Sequence, residues 1–341
     1  MRLIIRQHLP PPERDRDTFI DFLRGIGLLL LVVAHTWAPL TLATIRTFDV
    51  PLMVIISAMC YKPIKMDSQS IKRYLWKRFL RIYIPVFIFV NLFYGAILCI
   101  EAYTGKNVFS VYTYVGSLLL LNSPSIGYVW IMRVFLMMAF VLPFAEPLFR
   151  KLKPLGLTLI LYLLIIFQEC VIEAFTFLPD NVLKFILAQI IPYTTGYLVF
   201  TAIGLRVMNF SFIQKIFLSV AAMTGCVAYF WLTCNLNPQI DKYPPHGLYL
   251  LWGWCGSMLL IVCKPVFEKI TQWSIWSYLS RNSMWIYLWH IVPVYLITPV
   301  SIRPDIWLVR YILVLSVALL LNYIYHLSIA HFSKEIRKYI G

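Results

Sequence analysis

The chain has 341 residues, of which 60% are hydrophobic, 16% aromatic and only 13% charged, and its mean hydropathy is +0.76. Soluble domains carry about 25% charged residues, so this composition excludes a water-soluble globular protein. Lys and Arg number 30 against 15 Asp and Glu, which gives a net charge of +15. In a soluble protein that excess would favour nucleic-acid binding, but its placement along this chain indicates another cause.

Apolar runs recur along the chain, each near the roughly 20 residues that a helix needs to cross hydrocarbon. Backbone polar groups in lipid must be paired within their own segment, and barrel-type alternation is not seen. The sequence therefore predicts an all-α integral membrane protein with about ten transmembrane helices. We predict them at residues 25–45, 48–63, 80–101, 127–149, 155–177, 183–203, 212–233, 247–263, 282–298 and 306–332.

Basic residues are distributed unevenly between the predicted loops. With a cytoplasmic N-terminus, most of the 30 Lys and Arg residues fall on the cytoplasmic side, as the positive-inside rule requires. This orientation places both termini, the basic leader 1–23 and the tail 333–341 in the cytoplasm. The leader and tail contribute Arg2, Arg6, Arg14, Arg16, Lys334, Arg337 and Lys338, whereas the outer loops keep only Arg46, Lys106, Lys242 and Arg303.

No linker or internal repeat divides the chain, so we expect one membrane domain over residues 1–341, with the first apolar run an uncleaved anchor. Segment 112–122 is too short to span and is predicted as a short outer-face helix. The polar loop from Cys234 to His246 fits either a substrate-side lid or a plain connector. The seven cysteines lack CxxC spacing and are expected to be buried small hydrophobic residues. No metal motif or dinucleotide glycine signature is present.

The first predicted span contains Arg24 and His35, eleven residues or about three helical turns apart. One continuous helix would place them on one face, roughly 16 Å apart along its axis, with Gly25 and Gly27 allowing close approach of a helix or ligand. An ionisable group in the hydrocarbon core costs free energy, so it is expected to have either a polar partner or a function. A histidine at that depth can act as a general base, or it can simply hydrogen-bond a neighbouring helix.

A second signal is the basic run before the third predicted span. Arg73, Lys77 and Arg81 lie at i, i+4 and i+8, so they share a helical stripe, with Arg78 beside it. Guanidinium groups in such a stripe can bind phosphates through bidentate hydrogen bonds. The alternative is that the run only sets topology and contacts anionic lipid.

Two further polar positions lie within predicted spans. Trp130 and Arg133 are three residues apart near the outer end of the fourth span, and His290 lies in the middle of the ninth. Arg133 could bind a substrate hydroxyl or carboxylate, or could extend to the membrane interface. Aromatic residues at such depths often belong to the interfacial belt.

Five motifs in this order resemble the acyltransferase-3 family of membrane acyltransferases, from about Asp21 to His331. They are Arg24 and His35 separated by ten residues; the string 50–59, which includes Ser57 and is similar to the family's Met-Pro-Leu-Phe-Phe-Phe-Ile-Ser-Gly-Tyr; the basic run 77–81 with Pro85; Trp130 with Arg133; and the segment 286–290. Two positions depart from the pattern. Ala58 replaces the usual Gly, and Asp49 stands where the sugar O-acetylase branch often has His.

The resemblance implies transfer of an acyl group, usually acetyl, from cytoplasmic acetyl-CoA to a hydroxyl of a cell-surface polysaccharide or its lipid-linked precursor. It implies a bacterial inner-membrane location. Arg24, Arg73, Arg78 and Arg81 would hold the nucleotide phosphates. His35 would deprotonate the acceptor hydroxyl or accept the acyl group itself. Ser57, Trp130, Arg133 and His290 are expected at the substrate site.

The main alternative is an exporter or transporter of polysaccharide or lipid-linked sugar, which also needs about ten spans and buried polar groups. Symmetry between spans and broken helices would favour it. The partners expected for the enzyme are a coenzyme A thioester, a saccharide acceptor and membrane lipids, with a homodimer possible and no nucleic acid. The glycan, the acyl group and the hydroxyl modified are not specified by these motifs.

Overall fold

The computed structural model describes residues 17–106, 108, 110–297 and 307–330. Within this part of the chain there are fourteen α-helices and no strand. The helices are α1 (Thr18–Val33), α2 (Leu40–Ile45), α3 (Asp49–Met59), α4 (Ser68–Thr104), α5 (Val111–Leu118), α6 (Trp130–Phe149), α7 (Pro154–Thr176), α8 (Val182–Val207), α9 (Phe212–Thr233), α10 (Gly247–Val262), α11 (Lys264–Thr271), α12 (Ser274–Arg281), α13 (Ser283–Ile297) and α14 (Trp307–Ile329). Turns of 3-10 helix occupy Arg46–Phe48 and Ile240–Lys242.

Several predicted features lie outside the described residues. They include the basic residues of the leader, the outer Arg303 and the cytoplasmic tail, namely Arg2, Arg6, Arg14, Arg16, Arg303, Lys334, Arg337 and Lys338. The cytoplasmic orientation of the two termini therefore stays a prediction.

Seven helical segments of the described chain are long and apolar enough to cross a membrane, with Leu40–Met59 counted as one. The number becomes eight if α10 and α11, which meet at 65°, form one broken span. The all-helical membrane class is confirmed, whereas the prediction of about ten crossings is not. The predicted and observed numbers of spans differ mainly because α1 and α13 have only 16 and 15 residues. Each is therefore at most about 24 Å long, which is less than the roughly 30 Å thickness of the hydrocarbon core.

The first apolar run is interrupted, and the single helix predicted over 25–45 is wrong. Helix α1 ends two residues before His35, which lies in a turn that precedes α2. Trp37 has a φ of 53°, a left-handed conformation that a continuing helix does not allow, and Pro39 disfavours a helical residue before it. Arg24 and His35 therefore do not share one face of one helix. His35 instead lies just beyond the C-terminal end of α1.

The basic run and the third predicted span form one continuous helix, α4, of 37 residues. Its N-terminus is capped by the Asp67 side chain, which accepts from Ser70 N at 2.8 Å, and its C-terminus by Gly105 with a φ of 68°. At 1.5 Å per residue α4 is about 55 Å long, well beyond the hydrocarbon thickness. Its basic first turns therefore project from the membrane while its later turns cross it.

Helix α1 packs closely on two neighbours through its glycines. A Cβ on Gly25 would lie 2.6 Å from the Trp276 ring of α12, and one on Gly27 would lie 2.7 Å from Met53 Sδ of α3. The prediction of close approach at these glycines is confirmed, and the approaching groups belong to helices. Side chains of α1 and α3 therefore form part of one buried core with those of α6, α8, α10 and α13.

The periphery carries apolar side chains that face outward. In α9 and α14 only 22% of the most apolar window is buried, and in α7 only 28%. Large exposed hydrophobic residues such as Leu163, Ile166 and Leu313 lie on these helices. An apolar exterior of this kind suits lipid as the surrounding solvent.

The short helix predicted over 112–122 is present as α5, and the side of the membrane on which it lies stays a prediction. Tyr83 of α4 donates to the carbonyl of Leu118 at 3.1 Å, which docks α5 against the long helix. The expectation for the cysteines is wrong. All seven are free, and four of them are exposed while the other three are half-buried: Cys60, Cys99, Cys170 and Cys234 in the first group, and Cys226, Cys255 and Cys263 in the second.

Candidate functional site

The turn after α1 brings His35 against His290 of α13. The Nδ1 atom of His35 lies 2.8 Å from Nε2 of His290, and the ring centroids are 5.0 Å apart with the planes 21° from parallel. His290 is fully buried, whereas His35 is half-buried. Two elements far apart in the sequence thus combine to form a histidine pair.

The hydrogen bonds assign the tautomers of this pair. Nδ1 of His290 hydrogen-bonds the carbonyl oxygen of Tyr287, which can only accept, so Nδ1 carries the proton. Nε2 of the neutral His290 ring must then accept, and Nδ1 of His35 must donate to it. In neutral His35 the remaining nitrogen, Nε2, therefore has a free lone pair, as a general base requires.

Aromatic residues complete the walls around the His35 ring. The ring of Tyr128 meets it edge-on with centroids 4.5 Å apart, and the hydroxyl of Tyr287 donates to the Tyr128 carbonyl at 2.7 Å. The Tyr295 hydroxyl donates to the Ile126 carbonyl at 3.1 Å. Helix α13 therefore supplies His290 and also holds the segment that carries Tyr128.

The turn itself is held by α14. Nη1 of Arg310 donates to the Thr36 carbonyl at 3.5 Å, and its guanidinium carbon lies 4.7 Å from the centre of the Trp37 ring. The Thr36 hydroxyl donates back to the Val33 carbonyl at 3.1 Å. These contacts fix the conformation that directs His35 toward α13.

A buried cluster of charges lies at the start of α3. The carboxylate of Asp49 accepts from Arg46 Nη1 at 2.5 Å and from the backbone N–H of Val50 at 2.7 Å. The ammonium of Lys242, from the 3-10 turn before α10, lies 3.8 Å from the other carboxylate oxygen. The side chains of Arg46, Asp49 and Lys242 are at most 5% exposed. Two cations therefore share one carboxylate in the interior.

This cluster lies within electrostatic range of His35. The Lys242 ammonium lies 5.8 Å from the centre of the Trp130 ring and 5.5 Å from that of Tyr243, and these two rings meet edge-on at 5.0 Å. Lys242 and Arg46 are both within electrostatic range of the His35 ring. Burial lowers the pKa of Lys242 to about 8, because removal from water disfavours its charged form.

Three arginines gather near the other end of α1. Arg24 donates to the Ser280 hydroxyl at 3.3 Å and to Cys60 Sγ at 3.4 Å. Arg24 and Arg78 act electrostatically on Arg81, so the three guanidinium groups are close together. Among the described residues no Asp or Glu lies within 4.0 Å of any of them. Their combined charge is therefore available to an anionic ligand.

Arg73 contributes to a different surface. It lies eight residues before Arg81, about 12 Å along the axis of α4, and lines a shallow groove with Gln69, Lys72 and Trp76. The predicted stripe therefore divides into a groove at the start of α4 and the arginine group around Arg24.

The remaining predicted site residues are placed as follows. Arg133 of α6 donates to the Leu120 carbonyl at 3.1 Å, to Gln189 Oε1 at 2.7 Å and to Asn122 Oδ1 at 3.1 Å. It therefore holds the segment between α5 and α6 through contacts within the protein. Trp130 is buried beside Lys242. Ser57 of α3 is half-buried, and no side-chain hydrogen bond joins it to a described residue.

Sequence reasoning paired His35 with Arg24 and named His290 separately as a substrate contact. It missed the charge cluster, because Arg46 and Lys242 were treated only as outer-loop charges and Asp49 only as a departure from the family pattern. The signal that could have drawn attention to Asp49 was its position in an apolar run, since a buried carboxylate requires a cationic partner. Among the described residues no group of three or more His, Cys, Asp or Glu could hold a metal ion.

The described residues thus place a histidine pair next to buried cations within an apolar helical bundle. The model of the acyltransferase-3 family, an acyltransferase domain, matches residues 17–327. The chain therefore belongs to the acyltransferase-3 family and is a multi-pass membrane acyltransferase. Neither the search of curated proteins nor that of solved structures gave a significant match.

Proposed function

We propose that the protein transfers an acetyl group from cytoplasmic acetyl-CoA to a hydroxyl of a polysaccharide, or of its lipid-linked precursor, on the far side of a bacterial inner membrane. The observation that carries this proposal is the contact between His35 and His290. It leaves the Nε2 lone pair of His35 directed away from its partner and available to a substrate hydroxyl.

The chemical step assigns one task to His35. Its Nε2 takes the proton of the acceptor hydroxyl as the hydroxyl oxygen attacks the thioester carbonyl carbon. The carbon–sulfur bond then breaks, the sulfur leaves as thiolate, and the proton held by His35 passes to that sulfur. His290 stabilises the imidazolium by accepting from Nδ1 of His35 throughout. We favour this direct transfer over an acyl-histidine intermediate, because the pair is arranged as a base and its orienting partner.

The arginine group formed by Arg24, Arg78 and Arg81 is the proposed site for the phosphates of the donor. Guanidinium groups without a carboxylate partner bind phosphate strongly through paired N–H donors. Helix α1 joins the two centres, since Arg24 lies about 14 Å along the axis from its last residue. Arg73 would extend the anion-binding surface along α4. The bend of 65° between α10 and α11 is a feature that the exporter alternative would also have. Membership of an acyltransferase family favours the enzyme.

The direct test is His35→Ala in cells that display the native glycan and in purified protein supplied with radiolabelled acetyl-CoA. Loss of a general base lowers the rate by about 10²- to 10⁴-fold, so we expect acetyl transfer to fall by this factor with membrane insertion unchanged. His326→Ala, a half-buried histidine near the end of α14, is the matched control. Unchanged acetylation in His35→Ala would rule out the proposed role.

A further inference from the structure

The buried cluster of Arg46, Asp49 and Lys242 carries one more positive charge than negative. Within 4.0 Å the only described carboxylate near these cations is Asp49, which forms the short bond with Arg46. The Lys242 ammonium lies 3.8 Å from that carboxylate, beyond hydrogen-bonding distance. No described residue accepts a hydrogen bond from it. An ammonium has three N–H donors, and all three of those on Lys242 are therefore free to bind an acceptor.

Aromatic rings next to Lys242 stabilise its positive charge without accepting hydrogen bonds from its ammonium group. The rings of Trp130 and Tyr243 lie 5.8 Å and 5.5 Å from the ammonium, at distances typical of cation–π contacts. Arg46 also has a buried Nε without a hydrogen-bond partner among the described residues. Both cations thus have donors left over, and both act electrostatically on His35.

From this geometry we infer that Lys242, supported by Arg46, forms a binding site for a negatively charged group on the acceptor sugar, a carboxylate or a phosphate. The inference rests on the proposed function, because it takes the group beside His35 to be the acceptor. An anion on Lys242 would neutralise the surplus charge, accept the unused N–H donors, and orient the sugar so that one hydroxyl reaches Nε2 of His35. The substrate class is therefore an acidic saccharide rather than a neutral one.

The test measures binding of three sugars that share one ring to the purified full-length protein at pH 7: glucose, glucuronate and glucose 1-phosphate. Inorganic phosphate serves as the free-anion probe. We expect one of the charged sugars to bind at least about tenfold more tightly than glucose, as a charge-assisted hydrogen bond provides. Glucuronate preference would identify a carboxylate and glucose 1-phosphate preference a phosphate.

Variants then assign the preference to Lys242. It should disappear in Lys242→Gln and persist in Lys242→Arg. It should also persist in Lys184→Gln, a control lysine that pairs with Asp180 at 2.8 Å. Equal affinity of the wild type for the three sugars would overturn the inference. So would a preference that survives in Lys242→Gln, or inorganic phosphate binding as tightly as the charged sugars.

A measurement on the wild type covers the case in which Lys242→Gln does not fold. The pKa of Lys242 is lowered to about 8 by burial, so most of its charge is lost at pH 9. The other charged and titratable groups that face Lys242 are Arg46, Asp49 and Tyr243, and burial raises the pKa of Tyr243. The preference for a charged sugar over glucose should therefore weaken between pH 7 and pH 9. An unchanged preference would contradict binding of the anion by Lys242. These titrations need no acyl transfer, whereas failure of the wild type to acetylate any acceptor would count against the proposed function alone.

Discussion

Nδ1 of His35 donates to Nε2 of His290 across 2.8 Å, although the two residues are separated by 255 positions in the chain. Each partner depends on its own local support. His290 is oriented by the Tyr287 carbonyl one turn earlier in α13, and His35 by a turn that Arg310 holds from α14. The relative position of the two histidines is therefore set by contacts among α13, α14 and the turn that follows α1.

Replacement of His290 should separate positioning from catalysis. In His290→Ala the Nδ1 proton of His35 loses its acceptor, so we expect kcat to fall roughly 10- to 100-fold with KM for acetyl-CoA unchanged. His290→Gln should recover part of the rate, because its amide oxygen can accept from His35. The measurement is transfer from radiolabelled acetyl-CoA as a function of pH. Full activity in His290→Ala would show that the contact has no catalytic role.

Neutralising the arginine group should weaken donor binding. For Arg24→Gln and Arg81→Gln we expect KM for acetyl-CoA to rise about 5- to 20-fold each, since a charge-assisted bond to phosphate is lost. Arg73→Gln should have a smaller effect, because Arg73 lines the groove at the start of α4. The control is Arg150→Gln, whose partner Glu146 lies 3.7 Å away. The affinity of each variant for acetyl-CoA is measured by titration with the labelled compound. Equal affinity in all four variants would show that the basic run does not bind the donor and only sets the topology.

Removal of the carboxylate from the charge cluster should be costly. Asp49→Asn leaves Arg46 and Lys242 buried without a counter-charge, and breaking a buried pair in this way costs about 3–5 kcal/mol. Lys242→Met should cost much less, because the Arg46–Asp49 pair remains. Thermal unfolding of the purified variants gives the comparison. If Lys242→Met proved the more damaging change, the surplus charge would be a structural requirement.

The two glycines of α1 should respond differently to alanine. At Gly25 the new Cβ meets a rigid indole at 2.6 Å, whereas at Gly27 it meets the flexible end of Met53 at 2.7 Å. We expect Gly25→Ala to lose about 1–3 kcal/mol through overpacking and Gly27→Ala to lose less. Gly95→Ala in α4 is the control, since nothing lies within 4 Å of its Cβ position. It should be neutral or gain up to about 1 kcal/mol. Unfolding temperatures that do not place Gly25→Ala lowest and Gly95→Ala highest would contradict the contacts described for these glycines.

The pair of His246 and Glu169 should make stability depend on pH. His246 Nδ1 lies 2.9 Å from the Glu169 carboxylate, and this hydrogen bond raises the pKa of His246. A raised pKa stabilises the folded protein below the unfolded value of about 6.5, and this stability is lost as pH rises through the folded value. Because the pair is partly exposed, we expect a loss of at most about 1 kcal/mol. His246→Ala should flatten the unfolding profile between pH 6 and pH 8, and an unchanged slope would exclude the pair.

The membrane class, the all-helical fold and the family motifs were predictable from the sequence alone, because they rest on composition, apolar run length and local spacing. The long basic helix α4 also follows from its own residues. The break after α1 was missed, because the prediction followed the length of the apolar run although Pro39 disfavours a continuous helix. The left-handed conformation of Trp37 is not visible in hydropathy.

Only the tertiary structure joins His35 to His290 and Asp49 to Lys242. Periodicity relates residues within one helix, but it carries no information on which helix ends meet, and both pairs form where a turn or a loop closes on another element. The sequence by itself determined that buried polar groups exist in an apolar chain and must find partners. The packing of α1, α3 and α13, set by side-chain shape and close approach, decided which partners they find.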